Sequence, residues 1–275
     1  MDSSGMGNCN DLARRRIAPR GGIGAMLALA ACLLGAPAAR AAPLADQPSA
    51  RQRCPATDAG PAPRLIAALG KERHAVLTQR LAAGDNPNLC HGGRAPLAIA
   101  AADGDSEALH LLHQAGALID APRDTQGATA LHAALAAGQW RAAALLLERG
   151  ADARLRDDDG NTGLHHLANS AHQADPRAQA ALADSMLKFG AALDAPGPQA
   201  STALMLAIDA GKRDLAAFLI DQGADPALRN ARGENALAIA RRRALPEMID
   251  MLERCIGQRG SRCAANATAA RYSTR

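Results

Sequence analysis

The sequence predicts an all-α solenoid of about six stacked helix-turn-helix repeats, with degenerate repeats at both ends. Three observations predict it. A short motif recurs as TALH at 129–132, TGLH at 162–165, TALM at 202–205, and more weakly as APLA at 95–98 and NALA at 235–238. Its leucines, Leu97, Leu131, Leu164, Leu204 and Leu237, are spaced 34, 33, 40 and 33 residues apart, a period that belongs to repeat architectures. Finally, hydrophobic residues make 48% of the chain but aromatics only 1%, so the apolar content is largely Ala and Leu, which suits closely packed helices.

Residues 1–41 read as an export signal. Arg14, Arg15, Arg16 and Arg20 form a positive region, and residues 22–35, GIGAMLALAACLLG, form an apolar core. That core is short of the roughly 20 apolar residues a membrane-spanning helix needs. Ala39-Arg40-Ala41 fits small-x-small cleavage, which would leave Ala42 as the mature start. Leu29-Ala30-Ala31-Cys32 resembles a lipobox and would instead place a lipid on Cys32, although Leu33 and Leu34 carry the apolar run past the cysteine. Residues 42–63 hold Pro43, Pro48, Pro55, Pro61 and Pro63 and read as a linker.

Residues 64–90 read as a first, degenerate repeat, because Leu65, Ala68, Val76, Leu77 and Leu81 keep helical spacing without the Thr-x-Leu-His start. Residues 94–127, 128–160, 161–200 and 201–233 are the next four. In the stretch 129–153, Thr129 is a natural N-cap, since its hydroxyl can accept a backbone N–H that a helix start leaves free. Gly138 separates two helices, and Gly150 ends the pair in the conformation that glycine tolerates. The repeat at 161–200 is seven residues longer than its neighbours, and the excess falls at 171–177, AHQADPR. Pro176 argues against a longer helix there, so a loop should protrude between the two helices. Residues 234–256 form a last pair, with Arg241–Arg243 suited to a polar closing surface. Residues 257–275 are a small, polar tail.

The block at roughly 64–256 resembles ankyrin repeats, on the motifs above and on GAD at 150–152 and 223–225. The resemblance implies non-catalytic protein–protein binding through the turn tips between repeats and the concave face of each first helix. By alignment the helix positions are Ala102, Asp103, Ala136, Asn169 and Asp209. The tip positions are Arg123, Asp124, Arg156, Asp158, Arg229 and Arg232. This groove is poor in Tyr and Trp, so Arg is the expected anchor, because its planar fork can hold a carboxylate by two hydrogen bonds. The resemblance also makes His132 and His165 structural, bonding backbone between repeats.

Four cysteines would remain after cleavage, Cys54, Cys90, Cys255 and Cys263, and three pairings are open. Cys54–Cys90 and Cys255–Cys263 are favoured, because each pair sits at one end of the array and the ends are far apart. Idle thiols are the alternative. Zinc fits poorly, since no pair has the close spacing of a structural site.

Other chemistry is thin. There is no Gly-x-Ser-x-Gly elbow, no phosphate-binding glycine loop and no His-Glu-x-x-His pair. His165, His166 and His172 could form a metal site if the inserted loop folded back, which is the enzymatic alternative. A lipid-anchored envelope component is another. The net charge of +4 lies mostly in residues 1–41, which carry five Arg against Asp2 and Asp11, so the remainder stands at +1. No global field draws it to phosphate or membrane, and it lacks aromatics on which to stack bases. The expectation is a monomeric periplasmic scaffold for a protein partner, without cofactor, possible roles including an inhibitor or immunity-type protein.

Overall fold

Each recurring motif starts a helix in the computed structural model, and the reason is local. Thr129 and Thr162 each build a capping box: the threonine hydroxyl accepts the backbone N–H three residues on, and the histidine there accepts the threonine N–H. Thr202 and Asn235 accept the backbone N–H of Met205 and Ala238 in the same way. Free N–H groups at a helix start are thus satisfied within one turn.

The structure describes residues 54, 63–70, 73–120, 124–172 and 175–257. Residues 1–41, read above as an export signal, most of the stretch 42–63, Arg123, Cys263 and the residues beyond 257 lie outside the described residues, as does Cys32. The described residues contain six helix pairs: α1 (Arg64–Ala67) with α2 (His74–Ala82), α3 (Pro96–Asp103) with α4 (Ser106–Gln114), α5 (Ala130–Ala136) with α6 (Trp140–Glu148), α7 (Gly163–Asn169) with α8 (Pro176–Lys188), α9 (Ala203–Asp209) with α10 (Arg213–Asp221), and α11 (Ala236–Arg242) with α12 (Pro246–Gly257). The first helices α3, α5, α7, α9 and α11 pack in succession as one layer. The second helices α2, α4, α6, α8 and α10 pack in succession as the other.

The core runs the length of the stack. Leu97, Leu131, Leu164 and Leu204, four of the five motif leucines, are buried, Leu237 is half-buried, and Leu112, Leu147, Met186 and Leu215 on the second helices belong to the same core. Alanines such as Ala101, Ala134, Ala168 and Ala207 fill the closest approaches. Gly163 stands where other motifs carry Ala130, Ala203 or Ala236. A Cβ there would lie 2.9 Å from Met186 Sδ, so the buried methionine occupies the space.

The longer repeat departs from expectation. Six residues rather than three separate α7 from α8, and α8 has 13 residues where α6 and α10 have 9. The insertion is therefore shared between the loop and an extra turn of helix. Pro176 permits this because it sits in the first helical turn, where a missing N–H costs nothing. Asp175 caps that turn by accepting the Arg177 N–H at 3.0 Å.

Cys54 is bonded to Cys90, with Cα atoms 5.4 Å apart, and so ties the linker to the first repeat. Cys255, buried on α12, is also disulfide-bonded, and its partner lies outside the described residues. No described helix is long and apolar enough to cross a membrane.

Candidate protein-binding surface

Between successive repeats the chain turns through five residues, and four such tips share one design. Asp124, Asp157, Gly197 and Asn230 each donate their N–H to the carbonyl four residues on, at 3.0, 3.0, 2.8 and 3.0 Å. Side chains reinforce the turn. Asp124 Oδ1 accepts from Gln126 N and Ala128 N, and Asn230 Oδ1 accepts from Arg232 N and Glu234 N. Asp157 accepts from Asn161 N at 2.7 Å, from Asn161 Nδ2 and from His166 Nε2 at 2.8 Å. Burial opposes ionisation of Asp157, but those hydrogen bonds outweigh it and hold its carboxyl below the usual range.

The tips are also stitched to one another. Asp158 N donates to Gln126 O at 2.9 Å, and Ala231 N donates to Gln199 O at 2.7 Å. Arg156 Nη1 reaches the Pro196 carbonyl in the following tip, and Arg232 Nη2 reaches Gln199 Oε1 at 3.2 Å. Asp158 also packs over Gly127, where a Cβ would meet its Oδ1 at 2.5 Å. The result is a row of tips joined in two pairs by main-chain bonds and between the pairs by the Arg156 side chain.

The expected anchors take a different role. Arg156 Nη1 donates to Gly160 O at 3.0 Å, and Arg229 Nη1 donates to Gly233 O at 2.6 Å. Both guanidinium groups thus brace their own turns. Asp209, at the end of α9, is also engaged: Arg243 holds it by two bonds at 2.9 and 3.0 Å, and Arg242 adds a third at 3.0 Å. The Arg243 hydrogen bond is the main reason its carboxyl lies below the usual range. Asp103 at the end of α3, Asn169 at the end of α7, Asp158 and Arg232 are exposed, and Asp124 is half-buried. Arg123 lies outside the described residues.

The histidines have structural work. His165 Nδ1 accepts the Thr162 N–H at 3.1 Å, and Nε2 meets Ser201 O in the next repeat at 3.1 Å. Burial holds its pKa below the usual value, against the raising effect of the Ser201 carbonyl. His166 faces Asp157, while His172 lies against the turn at Gly138, whose Cβ would meet it at 2.6 Å. His165, His166 and His172 therefore serve three different neighbours. Among the described residues, no group of three or more His, Cys, Asp or Glu is placed to hold a metal ion. His110 is half-buried and accepts from Arg149 Nη2 at 2.9 Å.

A family model, Ankyrin repeats (3 copies), matches residues 65–157 and 141–230. The chain is 35% identical over 132 residues, 47% of its length, to the transient receptor potential cation channel subfamily A member 1 homolog of Caenorhabditis elegans, covering 10% of that protein. It is 35% identical over 133 residues, 47% of its length, to the B-cell lymphoma 3 protein homolog of Mus musculus, covering 27% of that protein. To the mouse ankyrin repeat and SOCS box protein 16 it is 34% identical over 113 residues, 41% of its length and 25% of that protein. The chain thus spans between a tenth and about a quarter of these relatives. Ankyrin repeats generally mediate protein–protein interaction and are generally non-catalytic scaffolds. With capped helix pairs at this period, stitched tips and a family match across most of the repeat block, the chain belongs to the ankyrin-repeat family.

Proposed function

We propose that this chain is an exported, non-catalytic scaffold that holds a protein partner on its row of turn tips and the concave face beside it. The observation that carries this reading is the stitched row from Asp124 to Glu234. Its backbone is hydrogen-bonded before any partner arrives, so docking orders little and loses little entropy. The exposed groups along it, Asp158, Asp159 and Arg232, present mixed charge to a partner of complementary pattern.

Export is supported by the signal-like segment ending at Ala41 and by bonded cysteines, which persist in oxidising compartments. The periplasm of a Gram-negative bacterium fits both. An inhibitor or immunity-type protein, covering a harmful enzyme there, is the most specific form of the proposal.

The experiment is fractionation of cells expressing the tagged chain, followed by intact mass and capture from the periplasmic extract. A soluble product beginning at Ala42 supports export, and lipid on Cys32 in the membrane fraction replaces it with an anchored form. A protein retained by the native chain and lost on Asp158→Lys with Arg232→Glu supports docking at the tips. Unchanged retention overturns it.

A further inference from the structure

The end of the repeats opposite the tips carries a second candidate site. The ends of α7 and α9 and the starts of α8 and α10 enclose a cleft of about 420 Å³, within the range of roughly 300–1,000 Å³ found for small-ligand sites. One wall is formed by Ser170, Ala171 and His172 after α7 with Pro176 and Gln179 at the start of α8.

Three features of the lining point to one kind of ligand. Lys212 donates from Nζ to Leu167 O at 2.8 Å and to Ser170 Oγ at 2.7 Å. Both acceptors are neutral, and an ammonium has three donors, so its charge is uncompensated and one N–H is left for the cleft. Gln179, on α8, is only 5% exposed, yet its side-chain amide hydrogen-bonds to none of the described residues. Neither amide atom is fully buried, so the amide reaches the cleft and is open to a ligand or water there. Finally, α10, a nine-residue helix, starts at the cleft with no side-chain cap; the Arg213 N–H is taken by Gly211 O at 3.0 Å, and the positive end formed by the remaining N–H groups is partly offset by Asp214 in the first turn. Burial also holds the Lys212 ammonium below the usual lysine range, the direction that a bound anion would reverse. Asp214, the one carboxylate among the lining residues, is exposed.

We propose that this cleft binds a carboxylate, with Lys212 Nζ and the Gln179 amide as its donors and the start of α10 as its electrostatic backing. The shape suits a carboxylate because a charge-assisted hydrogen bond from the ammonium and a neutral one from the amide can share its two oxygens. The site is separate from the turn-tip row and does not depend on the partner proposed there.

The test is titration of the full chain with succinate, with N-acetyl-trialanine ending in a free carboxylate, and with the same peptide amidated. The acid is expected to bind about tenfold or more tighter than the amide. Binding of succinate alongside the peptide assigns a free small acid, whereas binding of the peptide acid alone assigns a partner's chain end. Lys212→Met should lose about tenfold in affinity, but it also removes bonds at the end of α7. Gln179→Leu is the sharper variant. It deletes an unpartnered amide, so Tm should hold or rise while carboxylate affinity falls about fivefold. The proposal is overturned if acid and amide bind alike, if no carboxylate probe binds, or if Gln179→Leu folds normally and binds as the native chain does.

Discussion

The Nε2 atom of His165 lies 3.1 Å from the carbonyl oxygen of Ser201, one repeat further along the stack. Because Nδ1 already accepts the Thr162 N–H, the proton must sit on Nε2, which donates to that carbonyl. One imidazole thus caps α7 and fastens it to the next turn. His165→Ala should cost about 2–4 kcal/mol in urea unfolding, from two lost hydrogen bonds and the groups they leave bare. Gly197 belongs to the same unit, since a Cβ there would lie 2.5 Å from His165 Cδ2. Gly197→Ala should therefore destabilise the native chain and do so much less beside His165→Ala, a coupling that a double-mutant cycle reads directly.

The same histidine makes stability depend on pH. Burial keeps it neutral in the fold, so its folded pKa lies below that of the unfolded chain, about 6.5. Above that pH both states are neutral and nothing is lost. As pH falls below it, the unfolded state binds the proton first, and stability falls toward the folded pKa. Asp157 and Asp209 run in the same sense, with folded pKa values lowered, but their contribution is lost only as pH falls through and below about 4. Unfolding between pH 7.5 and 5.5 should thus weaken the native chain more than His165→Gln, measured from each protein's own neutral value. Equal slopes would remove His165 as the source.

The third tip carries a strained residue. Gly127, Gly160 and Gly233 take the fourth place of their tips at φ of 72°, 85° and 75°, and Ala200 takes that place at φ 55°. Alanine is poorly suited to the left-handed region and glycine is not. Ala200→Gly should raise stability by up to about 1 kcal/mol, read as a shift in urea midpoint at constant slope.

Much of the fold could be read from the residues. The Thr-x-Leu-His motifs, the glycines after the helix pairs and the recurring leucines mark the repeats from residue 94 onward, because caps and core contacts are local or one period apart. The internal engagement of the binding surface was harder to see. Arg156 and Gly160, like Arg229 and Gly233, stand four residues apart, and that spacing was the available signal for their turn-bracing bonds. Asp209 meets Arg242 and Arg243 at 33 and 34 residues, one period away, so the repeat length itself foretold those partners. The contact of Lys212 with Ser170 spans 42 residues and crosses the insertion, so no periodic rule predicts it.

The first repeat should depend on its disulfide. Cys54–Cys90 closes a separation of 36 residues at the end of the stack, where α1 and α2 have a neighbour on one side among the described elements. Reduction should weaken that end by about 2–4 kcal/mol. Hydrogen exchange should then quicken at Leu65 and Leu77 while Leu131 and Leu164 keep their protection. Uniform loosening would show that the repeats unfold as one unit.

Photocrosslinking from single positions, carried out in cells, tests the central claim most directly. A photoreactive side chain would stand in turn at Asp159 and Arg232 on the tips, and at Arg141 and Glu148 on the outer helix α6, all of them exposed. The account predicts one protein of constant mass trapped from Asp159 and Arg232 and not from Arg141 or Glu148. A partner trapped from α6 alone, or no partner from either tip, would contradict it.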